Sequence, residues 1–259
     1  MLYNLIGDIH GRKVWQQLVR EDAVNIFMGD YLDPYHGEGI VAGEDDYNNL
    51  QEIIRFKKEH PESILLLGNH DLHYVWEESY SRRASKKEHI KRNEACFRDN
   101  FHLFQMAYAI GKRILVTHAG VTLPWCEMAG VPTGLSTAAI ADMLNQMGKD
   151  DDKRLWFATE RCMPTYDHVG YTPSASPVWV RPETLRTHAH LMNPDGKEII
   201  QIVGHTQIEA VTLEHPFFFV DCLGYITQSL LVDYSDQGGY DFAPSDFRPL
   251  RNILSCCLP

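Results

Sequence analysis

At 259 residues, 44% apolar and 23% charged, the chain carries enough hydrophobic side chains for a substantial core, which excludes a disordered or fibrous protein. The net charge of -11 argues against broad binding to nucleic-acid backbones, which needs Lys and Arg to displace counterions, but it leaves room for a small phosphorylated substrate in a local cleft. No stretch reaches the ~20 apolar residues of a membrane helix, so no membrane partner is expected.

Met1 leads almost directly into an apolar run, with no basic or cleavable segment ahead of it, so a cytoplasmic protein is expected. Leu2–Ile6, Val24–Met28, Ser63–Leu67, Arg113–Thr117 and Ile199–Val203 are short, β-branched or Leu-rich runs, the pattern of strands buried on both faces. Between them, helices are predicted over Arg12–Arg20, over Asp46–His60 with Leu50, Ile53 and Ile54 on one side, and over roughly Ser85–Tyr108. This alternation implies an α/β layered fold. From Asp150 to Pro194 the chain turns Pro-, Arg- and His-rich, which predicts a long surface excursion of the functional kind. Phe217–Val220 and Tyr225–Asp233, separated by Cys-Leu-Gly, are predicted to pair antiparallel and make the sheet mixed. One domain over residues 1–259 is expected, with a tail after about residue 234. Cys96, Cys126, Cys162, Cys222, Cys256 and Cys257 form no CxxC pair and are read as reduced thiols.

Five motifs fall at the predicted C-terminal ends of strands: GDIHG at Gly7–Gly11, GDYLDP at Gly29–Pro34, GNHD at Gly68–Asp71, THAG at Thr117–Gly120 and GHT at Gly204–Thr206. That edge of an open α/β sheet is where ligands bind. Asp8 and His10 lie two apart on an extended segment and can grip one ion. Asp30 can bridge two ions with its paired oxygens, while Asn69, His118 and His205 offer an amide oxygen and two imidazoles for the second. Oxygen and nitrogen donors without sulfur suit Mn, Fe or Zn, with manganese the expected ion of two divalent metals. Each motif alone reads first as turn chemistry; their joint occurrence is what points to a paired metal site.

Together these motifs resemble the calcineurin-like metallophosphoesterase superfamily, and especially its bacterial phosphoprotein phosphatase-like branch, over roughly residues 1–233. The resemblance implies a four-layer α/β/β/α sandwich with mixed β-sheets. It also implies that Asp8 and His10 hold the first metal, Asp30 bridges, and Asn69, His118 and His205 hold the second. Two cations can lower the pKa of a bridging water and neutralise phosphoryl oxygens, so that hydroxide attacks in line. By the same resemblance His70 protonates the leaving oxygen while Asp33 orients it.

One departure matters. The branch carries Arg then Gly after the second Asp of GDYLDP, and that Arg binds phosphate; here Asp33 is followed by Pro34 and Tyr35. Arg181, in PVWVRP, resembles the Trp-x-Arg segment that supplies another phosphate-binding arginine, and an ordinary surface arginine is its other reading. Arg12, Arg82, Arg83 and Arg161 read first as solvated surface residues. Trp156, Phe157, Tyr166, Tyr171 and Trp179 either pack the excursion or line a substrate pocket. The expected function is hydrolysis of phosphate monoesters, on a phosphoprotein or a small metabolite. The alternatives are a dinucleoside polyphosphate or cyclic phosphodiester hydrolase and, from another class, a noncatalytic scaffold.

Overall fold

The computed structural model describes residues 1–76, 87–155, 170–235, 239–245 and 248–249. In the first sheet four strands run parallel: β1 (Leu2–Ile6), β2 (Val24–Phe27), β3 (Ile64–Leu66) and β4 (Phe104–Gln105). β11 (Leu230–Tyr234) joins β1 antiparallel and β12 (Tyr240–Pro244) joins β11, giving the order β12-β11-β1-β2-β3-β4. The second sheet runs β5-β6-β7-β9-β8, from β5 (Ala107–Ile110), β6 (Ile114–Thr117), β7 (Ile200–Val203), β8 (Thr212–Glu214) and β9 (Phe217–Phe219); β6, β7 and β9 are parallel and the edges antiparallel. β10 (Ile226–Thr227) and β13 (Arg248–Pro249) form a short separate pair.

The two-residue period of each strand divides its side chains between two cores. Leu5, Ile26 and Leu66 from the first sheet meet Ile114, Val116, Ile202 and Phe218 from the second in an inter-sheet core. Ile6, Phe27 and Leu65 face the other way, toward Leu50, Ile53 and Ile54 of α1 (Asp45–Glu59), whose first turn carries Asp45 and Asp46 and whose last carries Lys57 and Lys58, matching the helix dipole. α2 (Asn69–Val75) and α3 (Lys87–Asn100) lie against each other beyond β3. On the far side, α4 (Leu123–Ala129) and α5 (Thr137–Lys149) are capped by the hydroxyls of Thr122 and Ser136, and α6 (Pro182–His188) sets Leu185 against Val203, Phe217 and Phe219. The result is the four-layer sandwich of two mixed sheets between helices.

The five strands expected from apolar runs lie within a residue of their predicted ends. Three expectations differ. The helix foreseen over Arg12–Arg20 is a short 3₁₀ helix, Lys13–Gln17. That foreseen to Tyr108 stops at Asn100, whose side-chain amide caps the Cys96 carbonyl at 2.9 Å; the chain beyond it enters β4 and β5 through pairing with strands far away in sequence. Phe217–Val220 and Tyr225–Asp233 do not pair, because β9 docks on β7 while β11 docks on β1 in the other sheet, the turn at Cys222 carrying the chain between them. The three consecutive phenylalanines of β9 are all buried, as an interior strand requires. The excursion contains α6 in its described part, and β12 extends the first sheet beyond residue 234. Among the described residues no helix is long and apolar enough to cross a membrane, and Cys96, Cys126 and Cys222 are buried free thiols.

Candidate metal centre

The five motif loops leave β1, β2, β3, β6 and β7 at the same edge of the sandwich, so residues nearly 200 apart in sequence converge. Donor atoms of Asp8, His10 and Asp30 lie within 4.8 Å of one another, as do those of Asp30, His118 and His205; all are buried, and Asp30 belongs to both groups. Asn69 joins them through its Oδ1, 3.0 Å from His118 Nε2.

The loops are bent into unusual backbone shapes to achieve this. His10, Asp30, Asp33 and His205 have φ of 43°, 52°, 61° and 66°, a left-handed region that side chains disfavour and that collects at functional sites. Hydrogen bonds hold them there. The Asp71 carboxylate accepts the amides of Asp30, Tyr31 and Gly68 at 2.7, 2.9 and 2.8 Å, and Asp8 Oδ2 accepts the amide of His205 at 3.0 Å. Glycine before a ligand has a steric cause: a Cβ on Gly68 would lie 2.1 Å from Asp30 Oδ1, and one on Gly204 would lie 2.2 Å from Asp8 Oδ1.

The imidazoles are set as neutral bases. Burial pushes the pKa of His10 down to about 3 and lowers those of His118 and His205. His118 Nδ1–H donates to the Met28 carbonyl at 2.8 Å, leaving the Nε2 lone pair to face the Asn69 oxygen at 3.0 Å and Asp30 Oδ2 at 3.5 Å. His10 Nδ1–H is likewise held by the carbonyls of Leu32 and Asp33, both at 3.0 Å, with Nε2 3.5 Å from Asp30 Oδ2. Among the described residues, neither ring nitrogen of buried His205 has a hydrogen-bond partner. Lone pairs facing lone pairs in a dry site are unfavourable unless a cation sits among them. The donor set therefore fits divalent metal, and second partners fix the tautomers of His10 and His118 in the way metal-bound histidines usually require. Burial, Asp221 and Asp30 raise the pKa of Asp8, whereas that of Asp30 is lowered, burial being outweighed by the positive charge its neighbouring histidines take up in acid.

At the rim, His70 donates its amide to Asp30 Oδ1 at 2.9 Å, and its Nδ1 lies 2.9 Å from Asp33 Oδ2. Its ring is partly exposed, 5.1 Å from that of His10. Arg181 Nη1 donates to Thr206 Oγ1 at 3.1 Å, and its charge helps keep His118 and His205 neutral. Trp179 stands edge-on to His205, 5.5 Å between centroids, whereas Tyr171 is 81% exposed. Trp156, Phe157, Tyr166, Arg82, Arg83 and Arg161 lie outside the described residues.

Arg12 corrects a sequence expectation. It is buried, forms a two-pronged ion pair with Glu38 at 2.8 and 2.7 Å, and donates to the Asp8 carbonyl at 3.1 Å. Its place immediately after GDIHG was the available signal. Sequence reasoning also missed Asp221, fully buried and pushed up to about 7 because burial outweighs the favourable charge of Arg12. Asp71, the last letter of GNHD, is a third residue whose part shows only in the structure, where it holds three loop amides.

A family model for calcineurin-like phosphoesterase matches residues 1–209. Among solved structures, a protein serine/threonine phosphatase from Saccharomyces cerevisiae with similarity to human phosphatase PP5 superposes with a TM-score of 0.53, at 16% identity, over 97% of this chain and 81% of that one, a likeness of fold. A search of the curated proteins finds no match. The site and fold define a metal-dependent hydrolase of phosphoric ester bonds, acting on phosphorylated substrates. The chain belongs to the calcineurin-like phosphoesterase family.

Proposed function

We propose that the enzyme hydrolyses phosphate monoesters, on a phosphoprotein or a small metabolite, with His70 as general acid. Asp8, His10 and Asp30 would hold one divalent ion and Asp30, Asn69, His118 and His205 a second, manganese being the first candidate and iron or zinc the others. When bound, such a pair supplies an activated water at neutral pH and charge to offset the phosphoryl oxygens. The observation that carries the reading is the Asp33–His70 contact: with Nδ1 engaged by Asp33 Oδ2 at 2.9 Å, Nε2 is left as the proton-donating nitrogen of a partly exposed ring, on a residue whose backbone amide is bonded to Asp30. Arg181, near His118 and His205, is the guanidinium suited to grip two phosphoryl oxygens.

A second reading, hydrolysis of a dinucleoside polyphosphate or a cyclic phosphodiester, is favoured by the state of Arg12. Its charge is already matched by Glu38, and a diester centre carries less negative charge to be matched than a monoester. The deciding experiment restores Mn, Zn, Fe or Mg separately to metal-stripped protein and compares p-nitrophenyl phosphate with bis-p-nitrophenyl phosphate and a dinucleoside polyphosphate, using Asp30→Asn and His70→Asn as controls. Monoester cleavage that vanishes in Asp30→Asn supports the first reading. Preference for the diester, or for a polyphosphate anhydride, sinks it in favour of the second.

A further inference from the structure

We propose that Tyr74 is a positioning residue for proton delivery, acting on His70 through Asp33; this rests on His70 being the general acid. Tyr74 Oη donates to Asp33 Oδ1 at 2.7 Å, and the other oxygen of the same carboxylate, Oδ2, lies 2.9 Å from His70 Nδ1. His70 and Tyr74 are four residues apart on α2, so one helix face presents both partners and Asp33, from the loop after β2, is held between them. Each carboxylate oxygen thus has its own partner, and the plane of the group cannot swing without breaking one contact.

The surroundings make this a rigid arrangement. Asp33 and Tyr74 are 1% and 2% exposed, and the Tyr74 ring stacks on Phe97 of α3 at an interplanar angle of 12°. Asp33 itself sits at a φ of 61°, a backbone state that needs external support. Burial and the Asp33 charge push the phenol pKa upward, so Tyr74 remains a donor. In the reaction, the proton on His70 Nε2 passes to the ester oxygen as the P–O bond breaks and the bonding pair moves to that oxygen. Asp33 accepts the Nδ1–H throughout, and Tyr74 fixes where it does so.

A general acid matters most when the leaving group is a poor one, which gives a readout that a purely structural residue would not move. Full-length enzyme, loaded with whichever divalent ion supports hydrolysis, would be assayed for kcat on phenyl, p-nitrophenyl and dinitrophenyl phosphates in wild type, Tyr74→Phe, Asp33→Asn and His70→Asn, with thermal unfolding of each. Tyr74→Phe is expected to raise the dinitrophenyl-to-phenyl ratio of kcat roughly ten-fold, less than the rise in His70→Asn, and any fall in melting temperature bears on all three esters alike and leaves that ratio as the readout. A Tyr74→Phe enzyme slowed equally on all three esters, or not slowed, while His70→Asn still raises the ratio, overturns the proposal and leaves His70 in place. A flat ratio in His70→Asn removes the general-acid reading and the proposal with it.

Discussion

Asp71 Oδ2 accepts the backbone amide of Asp30 at 2.7 Å, so the residue shared by both candidate ion groups is held through its main chain by a carboxylate that belongs to neither group. The same carboxylate takes the amides of Tyr31 and Gly68. Burial and the Asp30 charge raise its pKa, while the three amides favour its ionised form. In Asp71→Asn, one acceptor becomes an NH₂ group pointed at N–H donors. Urea unfolding is expected to show a loss of roughly 2–3 kcal/mol. An unchanged midpoint would mean that the loops after β2 and β3 are held by other contacts.

Gly68→Ala isolates the site from the fold. Gly68 has a φ of -100°, which alanine adopts without strain, yet its Cβ would come within 2.1 Å of Asp30 Oδ1 and 2.6 Å of His118 Cε1. Calorimetric titration with a divalent ion should show affinity at least about ten-fold weaker, with the far-ultraviolet circular dichroism retained. Wild-type affinity would show that Asp30 shifts at no cost.

Proton release on ion uptake follows from the shifted groups. Because burial lowers the pKa of His10, to about 3, and those of His118 and His205, their rings should titrate below the ordinary imidazole range in metal-free protein, as followed by their NMR resonances. The protons displaced by an ion must then come from carboxyls with raised values, Asp8 and, at about 7, Asp221. Ion affinity should rise with pH through neutrality and level off once both are ionised. Calorimetry in buffers of different ionisation enthalpy counts the protons. Imidazole resonances that titrate near their ordinary value would contradict this assignment.

Arg181→Ala should lower kcat/KM for a monoester by about 10–100-fold, the worth of a charge-assisted hydrogen bond, while ion affinity stays near wild type. Arg181→Lys should recover only part of that, because an ammonium cannot grip two oxygens in one plane. Equal kcat/KM in wild type and Arg181→Ala would return Arg181 to the role of a surface residue bonded to Thr206.

The sequence disclosed the central strands and the convergence of the motif loops because both depend on local pattern. Ile26 and Phe27 alternate faces as their period demands, and Asp8, His10, Asp30, Asn69, His118 and His205 meet because the strands before them share one edge. What stayed hidden depends on distant partners. Whether Phe104 continues a helix or starts a strand is decided by Leu65, and Phe217 docks beside Gln201 rather than near Leu230. Arg12 and Asp221 carry charges that suggest a surface, and only the three-dimensional crowding around Asp8 shows why both are inside.

The amide of His205 rests on the carboxylate of Asp8 across 197 positions of chain, and behind them stand different sheets, β1 in one and β7 in the other. A cation gripped between such loops would act as a clasp on the sandwich, closing a loop almost as long as the domain and restricting the unfolded chain accordingly. Ion loading and resistance to heat would then rise together, and chelation would loosen the seam between the sheets before it disturbed the helices outside them.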